Sequence, residues 1–251
     1  MMKKYPTPFL REVIVRLDYS NPLTKLSKFL PAKIRDIVTP SFPIGEPKEF
    51  ISRELRISKD LTKEKIVEGT DWFFHGIDRE KTLILARDNI NISYTKYGSF
   101  DTLKNEFLPI VKELFTYYDD FQGKRLGLRY INEITLPENR VLEWEDYLNG
   151  SLLANMSFPE DPSKICRAFS NLELSEGDLI VRFQYGMFNP DYPAPIRKKS
   201  FILDYDAYYQ GALNFEDINP KLDKFNVAIK SIFERSILDG LRRIMGVQND
   251  G

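Results

Sequence analysis

One stretch near the middle of the chain decides the predicted fold: Arg125-Leu126-Gly127-Leu128-Arg129-Tyr130-Ile131-Asn132-Glu133-Ile134. Apolar residues alternate along it with the period of a β-strand. The even-numbered side, which includes Tyr130 and Asn132, and the odd-numbered side, which includes Arg129 and Glu133, both mix apolar and polar residues. A strand with one side in water would instead have one apolar side and one polar side. We interpret the stretch as a central strand that opens the second half of a duplicated domain.

The residues before this strand predict a first half that ends in a helix. Strands are predicted over 10–19, 50–58, 71–76, 82–87 and 89–97. Ser99 then caps a helix that extends to Tyr118. The first half is therefore a set of antiparallel strands followed by one long helix.

The residues after the central strand repeat this order. Strands are predicted over 165–174, 179–185 and 200–209. A long helix begins at Asn219, with Pro220 at its first position. This order of elements predicts that the second half is a copy of the first.

The two terminal helices also share an apolar register, in which Phe107 matches Phe225 and Val111 matches Ile229. A long amphipathic helix is the natural cover for one face of an antiparallel sheet. Two such halves joined edge to edge predict an α+β fold in which a duplicated antiparallel sheet grips two long helices. We predict a single domain over 1–251, built of pseudo-repeats 9–118 and 125–245. This helix-grip arrangement is similar to the saddle of the TATA-binding-protein fold, an analogy that implies no DNA binding.

Composition limits the function classes. Lys and Arg total 36 against 37 Asp and Glu, so the chain lacks the basic excess of a dedicated nucleic-acid binder. The single cysteine, Cys166, excludes an internal disulfide and favours a reducing compartment. With one Cys and one His there is no zinc constellation, although a carboxylate site for magnesium or calcium stays open. We expect no cofactor and no bound transition metal.

The sequence contains neither a targeting signal nor an apolar run long enough to span a bilayer, and these features predict a cytoplasmic protein that does not bind membranes. The sequence also contains no recognisable catalytic motif. In particular, His75 is not accompanied by the Gly-x-Ser-x-Gly elbow that a serine hydrolase would need. We interpret His75 as structural and Cys166 as a buried, inert thiol. Asp204 and Asp206 fall on one side of a strand, where they either bind a metal or face solvent. The basic run Arg197-Lys198-Lys199 is interpreted as a solvated loop.

The candidate binding residues come from strands. Arg129 and Asn132 belong to the central strand, and Arg16 is the counterpart of Arg129 in the first half. Tyr205 and Tyr208 belong to an aromatic-rich stretch that could line a pocket or a partner surface. An arginine in a central strand must either find acceptors or reach water. No catalytic residue is assigned.

Three stretches together resemble a known family: Tyr5-Pro6-Thr7-Pro8-Phe9-Leu10-Arg11-Glu12-Val13, the central Gly127-Leu128-Arg129-Tyr130-Ile131-Asn132-Glu133-Ile134, and Ile232-Phe233-Glu234-Arg235-Ser236-Ile237 before Met245. They are similar to a sporadically distributed prokaryotic family of uncharacterised proteins of about this length. The resemblance covers the whole chain and supplies no activity. The patchy distribution of that family implies mobile or defence-associated genes.

These observations favour a non-enzymatic interaction protein that acts with a protein partner or as a homo-oligomer, as a sensor, adaptor or antidote subunit. The first alternative is a small-molecule-binding helix-grip protein with a pocket between sheet and helices. The second is a protein that binds nucleic acid through the sheet face. An enzyme is the least favoured class.

Overall fold

The structure is a computed structural model that describes residues 5–58, 61–137 and 140–246; for 53–58 and 61–65 it describes the backbone alone. The strands are β1 (Leu10–Tyr19), β2 (Ile44–Ser58), β3 (Leu61–His75), β4 (Lys81–Leu85), β5 (Asn89–Tyr94), β6 (Gly123–Thr135), β7 (Ala168–Glu176), β8 (Leu179–Met187) and β9 (Ser200–Leu213). The helices are α1 (Ala32–Val38), α2 (Phe100–Tyr117), α3 (Phe215–Ser236) and α4 (Asp239–Ile244), with short 3₁₀ turns at Gly150–Leu152 and Pro162–Lys164.

All nine strands belong to one antiparallel sheet in the order β2-β3-β4-β5-β1-β6-β9-β8-β7. The central position predicted for the 125–134 stretch is confirmed, because β6 lies between β1 and β9. Outward from the β1–β6 pair, the order is β5, β4, β3 on one side and β9, β8, β7 on the other. The predicted α+β class with an antiparallel sheet is confirmed, whereas the helix-grip saddle, the duplication and the single-domain assignment stay predictions.

The chain divides into two compact units. Unit 1 contains 1–13, 128–209 and 222–251, and unit 2 contains 14–127 and 210–221. In unit 1, α3 packs on one face of the strands: the Tyr130 hydroxyl donates to Asn226 Oδ1 at 3.1 Å, and the Tyr205 ring meets that of Phe233 edge-on at 6.3 Å. Phe183 stacks on Tyr205 at 4.6 Å between ring centroids and extends this core across β8.

In unit 2, α2 covers its strands in the same manner. Its apolar stripe is fully buried and includes Leu103, Phe107, Val111 and Leu114. The predicted N-cap is confirmed, since Ser99 Oγ accepts a hydrogen bond from the Thr102 backbone N–H at 3.1 Å. An N-cap of this kind satisfies one of the backbone donors that a helix leaves unpaired at its start.

Several boundaries differ from the sequence prediction. The last long helix begins at Phe215 and ends at Ser236, so Asn219 and Pro220 lie inside it. Strand β2 begins at Ile44 rather than at residue 50, and β3 begins at Leu61 rather than at residue 71. The two strands pair with each other from Ile44–His75 to Ser58–Leu61, and this cross-strand pairing extends both strands beyond the apolar runs from which they were predicted.

Candidate functional site

Arg129 lies on the face of the sheet opposite to α3. Its guanidinium donates two hydrogen bonds to the Asp204 carboxylate, from Nε to Oδ1 at 2.8 Å and from Nη2 to Oδ2 at 2.5 Å. These hydrogen bonds raise the pKa of Arg129 against the opposing effect of partial burial, and Asp206 and Glu12 add to the rise. Planar two-point pairing of this kind is strong and directional.

A second ion pair continues the row on the same face. Arg182 of β8 lies directly opposite Asp206 of β9, and its Nη2 donates to Oδ2 at 2.8 Å. Asp204 and Asp206 are both buried, at 6% exposure each, so the prediction of a solvated acidic face is wrong. We call Arg129, Asp204, Asp206 and Arg182 the charged row.

The charged row carries two positive and two negative groups and is therefore neutral as a unit. Each carboxylate has an arginine partner in the same layer, which leaves the aspartates poorly placed to collect a cation. In the described part of the chain, no group of three or more His, Cys, Asp or Glu side chains is arranged to hold a metal ion.

The other predicted binding residues are distributed differently. Asn132 is buried on the α3 side and donates to the Leu203 carbonyl at 3.3 Å. Tyr205 is fully buried in the same core, and this burial raises the pKa of its hydroxyl. Tyr208 is half-buried, opposite Ile180 of β8. Of the predicted residues, Arg129 and Tyr208 fall on the charged-row face of unit 1, whereas Asn132 and Tyr205 lie in the core.

Arg16 belongs to unit 2, where its guanidinium is bound to Asp18. Arg16 Nε donates to Asp18 Oδ1 at 2.7 Å, while Arg125 Nη1 lies 3.9 Å from Asp18 Oδ2. Arg16 is exposed, in contrast to half-buried Arg129. The two arginines that the repeat alignment matches thus both pair with an aspartate, but at different depths.

Lys199 is a site that the sequence reasoning missed. The prediction of a solvated loop is wrong for this residue, because Lys199 is 2% exposed. Its ammonium lies 5.2 Å from the ring centroid of Trp144 and 5.0 Å from that of Tyr147. Aromatic faces attract a cation that has lost part of its water. The aromatic residues at 144 and 147 are visible in the sequence. They lie far from Lys199 along the chain, however, so no local pattern predicts that they contact it.

Unit 2 contains a buried polar network on α2. Glu106 accepts from the Lys81 ammonium at 2.5 Å and from the Tyr94 hydroxyl at 2.7 Å. Both bonds hold the helix to β4 and β5 and satisfy the carboxylate away from water. We therefore interpret the network as a structural link between α2 and these two strands.

His75 lies at the end of β3 and contacts a residue of each neighbouring strand. Its Nδ1 lies 3.0 Å from Thr82 Oγ1, and its Nε2 lies 3.2 Å from Glu46 Oε2. Glu46 is also paired with Arg79, so its carboxylate is shared with a permanent cation. Cys166 is only half-buried and precedes β7 rather than lying in a strand, so the prediction of a buried strand thiol is wrong.

The hairpin of β2 and β3 is the most unusual element of unit 2. The two strands pair with each other from Ile44–His75 to Ser58–Leu61, yet β4 pairs with β3 only at Trp72–His75. We call residues 49–58 and 61–70 the ribbon. Two large apolar side chains on it are exposed, Ile51 at 71% and Ile66 at 56%. The sequence patterns predicted strand at 50–58 but gave no sign of this length.

A groove of about 590 Å³ lies in unit 1 between the β7–β8 turn and α3. Its walls include Leu179, Val227 and Ile232, and its rim carries Asp178, whose Oδ1 lies 3.4 Å from Lys224 Nζ. The lining of the groove combines apolar and charged side chains.

None of the helices in the described residues combines the length and the apolar character needed to cross a membrane. No protein-family model matches the chain, and no curated protein matches it.

Proposed function

We propose that this chain is a non-enzymatic interaction protein that binds a protein partner through the ribbon, as an adaptor, sensor or antidote subunit. The observation that carries the proposal is that the ribbon extends well beyond the residues of β3 that pair with β4. A two-stranded hairpin in water is marginally stable unless a third strand or a helix covers it. The backbone N–H of Thr70 donates to the Ser27 carbonyl at 2.8 Å at the base of the ribbon. The ribbon extends beyond the last residue pair of β4, and its exposed isoleucines are the surface that a partner would cover.

The apolar residues of the ribbon lie close together. Ile51 pairs with Glu68, and Ile66 pairs with Arg53, so the two isoleucines occupy neighbouring diagonal positions on one face of the hairpin. A protein partner that contributes apolar side chains to this face would bury both. The resemblance to a sporadically distributed prokaryotic family fits this class and favours a partner encoded beside the chain, as in mobile or defence-associated gene sets.

The test is capture of a partner from the source organism, followed by binding of the purified partner. The substitutions Ile51→Lys and Ile66→Glu remove the apolar surface and place opposite charges across from Glu68 and Arg53, which preserves strand pairing. We expect the double variant to fold and to lose the partner.

Ile77→Lys provides the matched control, because Ile77 is 77% exposed but belongs to the β3–β4 turn. This variant should retain binding. Equal binding by the wild-type protein and the ribbon variant would contradict the proposal.

The groove beside α3 favours a second candidate, a small-molecule binder. Its volume falls within the range of roughly 300–1,000 Å³ that ligand sites occupy. Native mass spectrometry of the purified protein should then show an added small mass that is lost in Val227→Lys, a substitution at a groove residue. Binding of nucleic acid has less support, because Arg129 and Arg182 on the charged row are already paired with aspartates.

A further inference from the structure

Strand β7 is the last strand of the sheet and has a neighbour, β8, on one side only among the described residues. Its nine residues contain no proline, lysine or arginine. Proline and charged side chains, lysine above all, commonly prevent an edge strand from pairing with another chain, and the charges of β7 are limited to Glu173 and Glu176. The opposite end of the sheet is protected in this way, since β2 carries Pro47 and Lys48.

The β7–β8 turn determines which backbone groups of β7 face outward. Glu176 and Leu179 pair across a two-residue turn whose Gly177 has φ +68°, a conformation that favours glycine. In such a hairpin the closing pair exchanges both backbone hydrogen bonds, and bonded and non-bonded pairs then alternate. Glu176, Leu174, Leu172 and Ser170 therefore bond to β8, and the odd-numbered residues from Phe169 to Ser175 direct their N–H and C=O groups outward.

We propose that β7 pairs with β7 of a second copy of this chain, antiparallel and centred on Leu172. In this register Asn171 lies opposite Glu173 of the second copy, and Phe169 lies opposite Ser175 of the second copy. All four outward-facing residues of each strand then bond across the dyad, which gives roughly eight backbone hydrogen bonds.

Charge and hydrogen bonding favour this register over those centred on Glu173 and Leu174. Centred on Glu173, the pairing would place two carboxylates directly opposite each other, which is destabilising. Centred on Leu174, it would use the turn residue Gly177 and lose hydrogen bonds. Centred on Leu172, each Glu173 meets the Asn171 amide, which can donate to it.

The side chains fit the same partner. Phe169 and Leu172 are exposed at 41% and 46%, which is high for apolar residues. Leu172 would lie against its own copy as a non-hydrogen-bonded pair, in which side chains approach most closely. A nine-residue strand pair is a small interface, so we expect a dimer that dissociates at micromolar concentration.

The experiment is sedimentation equilibrium of the full chain from about 1 to 200 µM, a range chosen for the micromolar affinity of small interfaces. The wild-type protein should dimerise. Asn171→Glu places like charges opposite each other twice, and we expect it to weaken association about tenfold. Asn171→Lys faces Glu173 of the second copy and should strengthen association, and the double variant Asn171→Glu/Glu173→Lys should restore it.

Two further variants test the geometry. Asn171→Pro removes an outward N–H without touching the ladder to β8, so it should abolish the dimer while the thermal melt of the monomer is retained. The ribbon double variant Ile51→Lys/Ile66→Glu should dimerise like the wild-type protein, which separates this inference from the proposed partner site. A wild-type monomer at about 200 µM, equal effects of Asn171→Glu and Asn171→Lys, or loss of the dimer in the ribbon variant would overturn the inference.

Discussion

Arg129 and Asp204 are joined by two hydrogen bonds that connect β6 to β9. The Arg129 side chain is 35% exposed to solvent, whereas the Asp204 side chain is 8% exposed. The aspartate is thus the member of the pair that depends on its partner. Without the guanidinium, it would remain a buried charge with lost compensation, which is a strongly destabilising arrangement.

Arg129→Ala should lower the free energy of unfolding by about 3 kcal/mol, the lower end of the range for breaking a buried pair, because Arg129 is partly exposed. Urea denaturation measures this change. Adding Asp204→Asn to Arg129→Ala should recover part of the loss, since the buried charge is then removed. Arg140→Ala is the control: its pair with Glu143 is exposed, and the cost should stay below about 1 kcal/mol. Equal costs for the two alanine variants would contradict this account.

Sequence periodicity predicted β6 well and the charged row poorly. Alternation along residues 125–134 is a local property, so the strand and its two mixed faces could be identified from the chain alone. The partner of Arg129 belongs to a strand 75 residues away, and pairing at that distance leaves no local pattern. The same reason explains Lys199, whose aromatic neighbours Trp144 and Tyr147 come from a separate segment.

The predicted duplication has a direct energetic consequence for the two long helices. Phe107 of α2 and Phe225 of α3, which the predicted repeat alignment matches, are both fully buried. Replacing either by alanine should cost about 3–5 kcal/mol, because each change removes a buried ring and leaves a cavity. Phe158→Ala is the control, since Phe158 is 90% exposed. If one of the helix variants were nearly neutral in urea denaturation, the two positions would not be structural equivalents.

Two tyrosines of unit 2 should respond oppositely to removal of the hydroxyl. Tyr19 is 1% exposed, and in the described part of the chain its hydroxyl oxygen has no hydrogen-bond partner. Tyr94 is also buried, but its hydroxyl donates to Glu106. Tyr19→Phe should therefore leave stability unchanged or raise it by about 1 kcal/mol, while Tyr94→Phe should lower it by about 1–3 kcal/mol. Thermal unfolding of the two variants side by side checks the contrast, and a loss of stability in Tyr19→Phe would contradict it.

Tyr5 should give unit 1 a dependence on alkaline pH. Its hydroxyl donates to Glu234 Oε1 at 2.6 Å, and Arg242 Nη2 lies 3.3 Å from Glu234 Oε2. Burial, followed by the bond to Glu234, raises the pKa of Tyr5 to about 12. A tyrosine in the unfolded chain titrates near pH 10, so the folded state holds this proton more tightly.

The stabilisation by neutral Tyr5 is therefore complete below about pH 10 and is lost as the pH rises through about 12. The measurement is the difference in unfolding free energy between the wild-type protein and Tyr5→Phe from about pH 8 to 12. The lysines and the other tyrosines titrate equally in the two proteins, so their contributions cancel in this difference. We expect the wild-type protein to be more stable at pH 8 and its advantage to shrink steadily above pH 10. A difference that stays constant from pH 10 to 12 would show that the hydroxyl of Tyr5 is not held by Glu234 in solution.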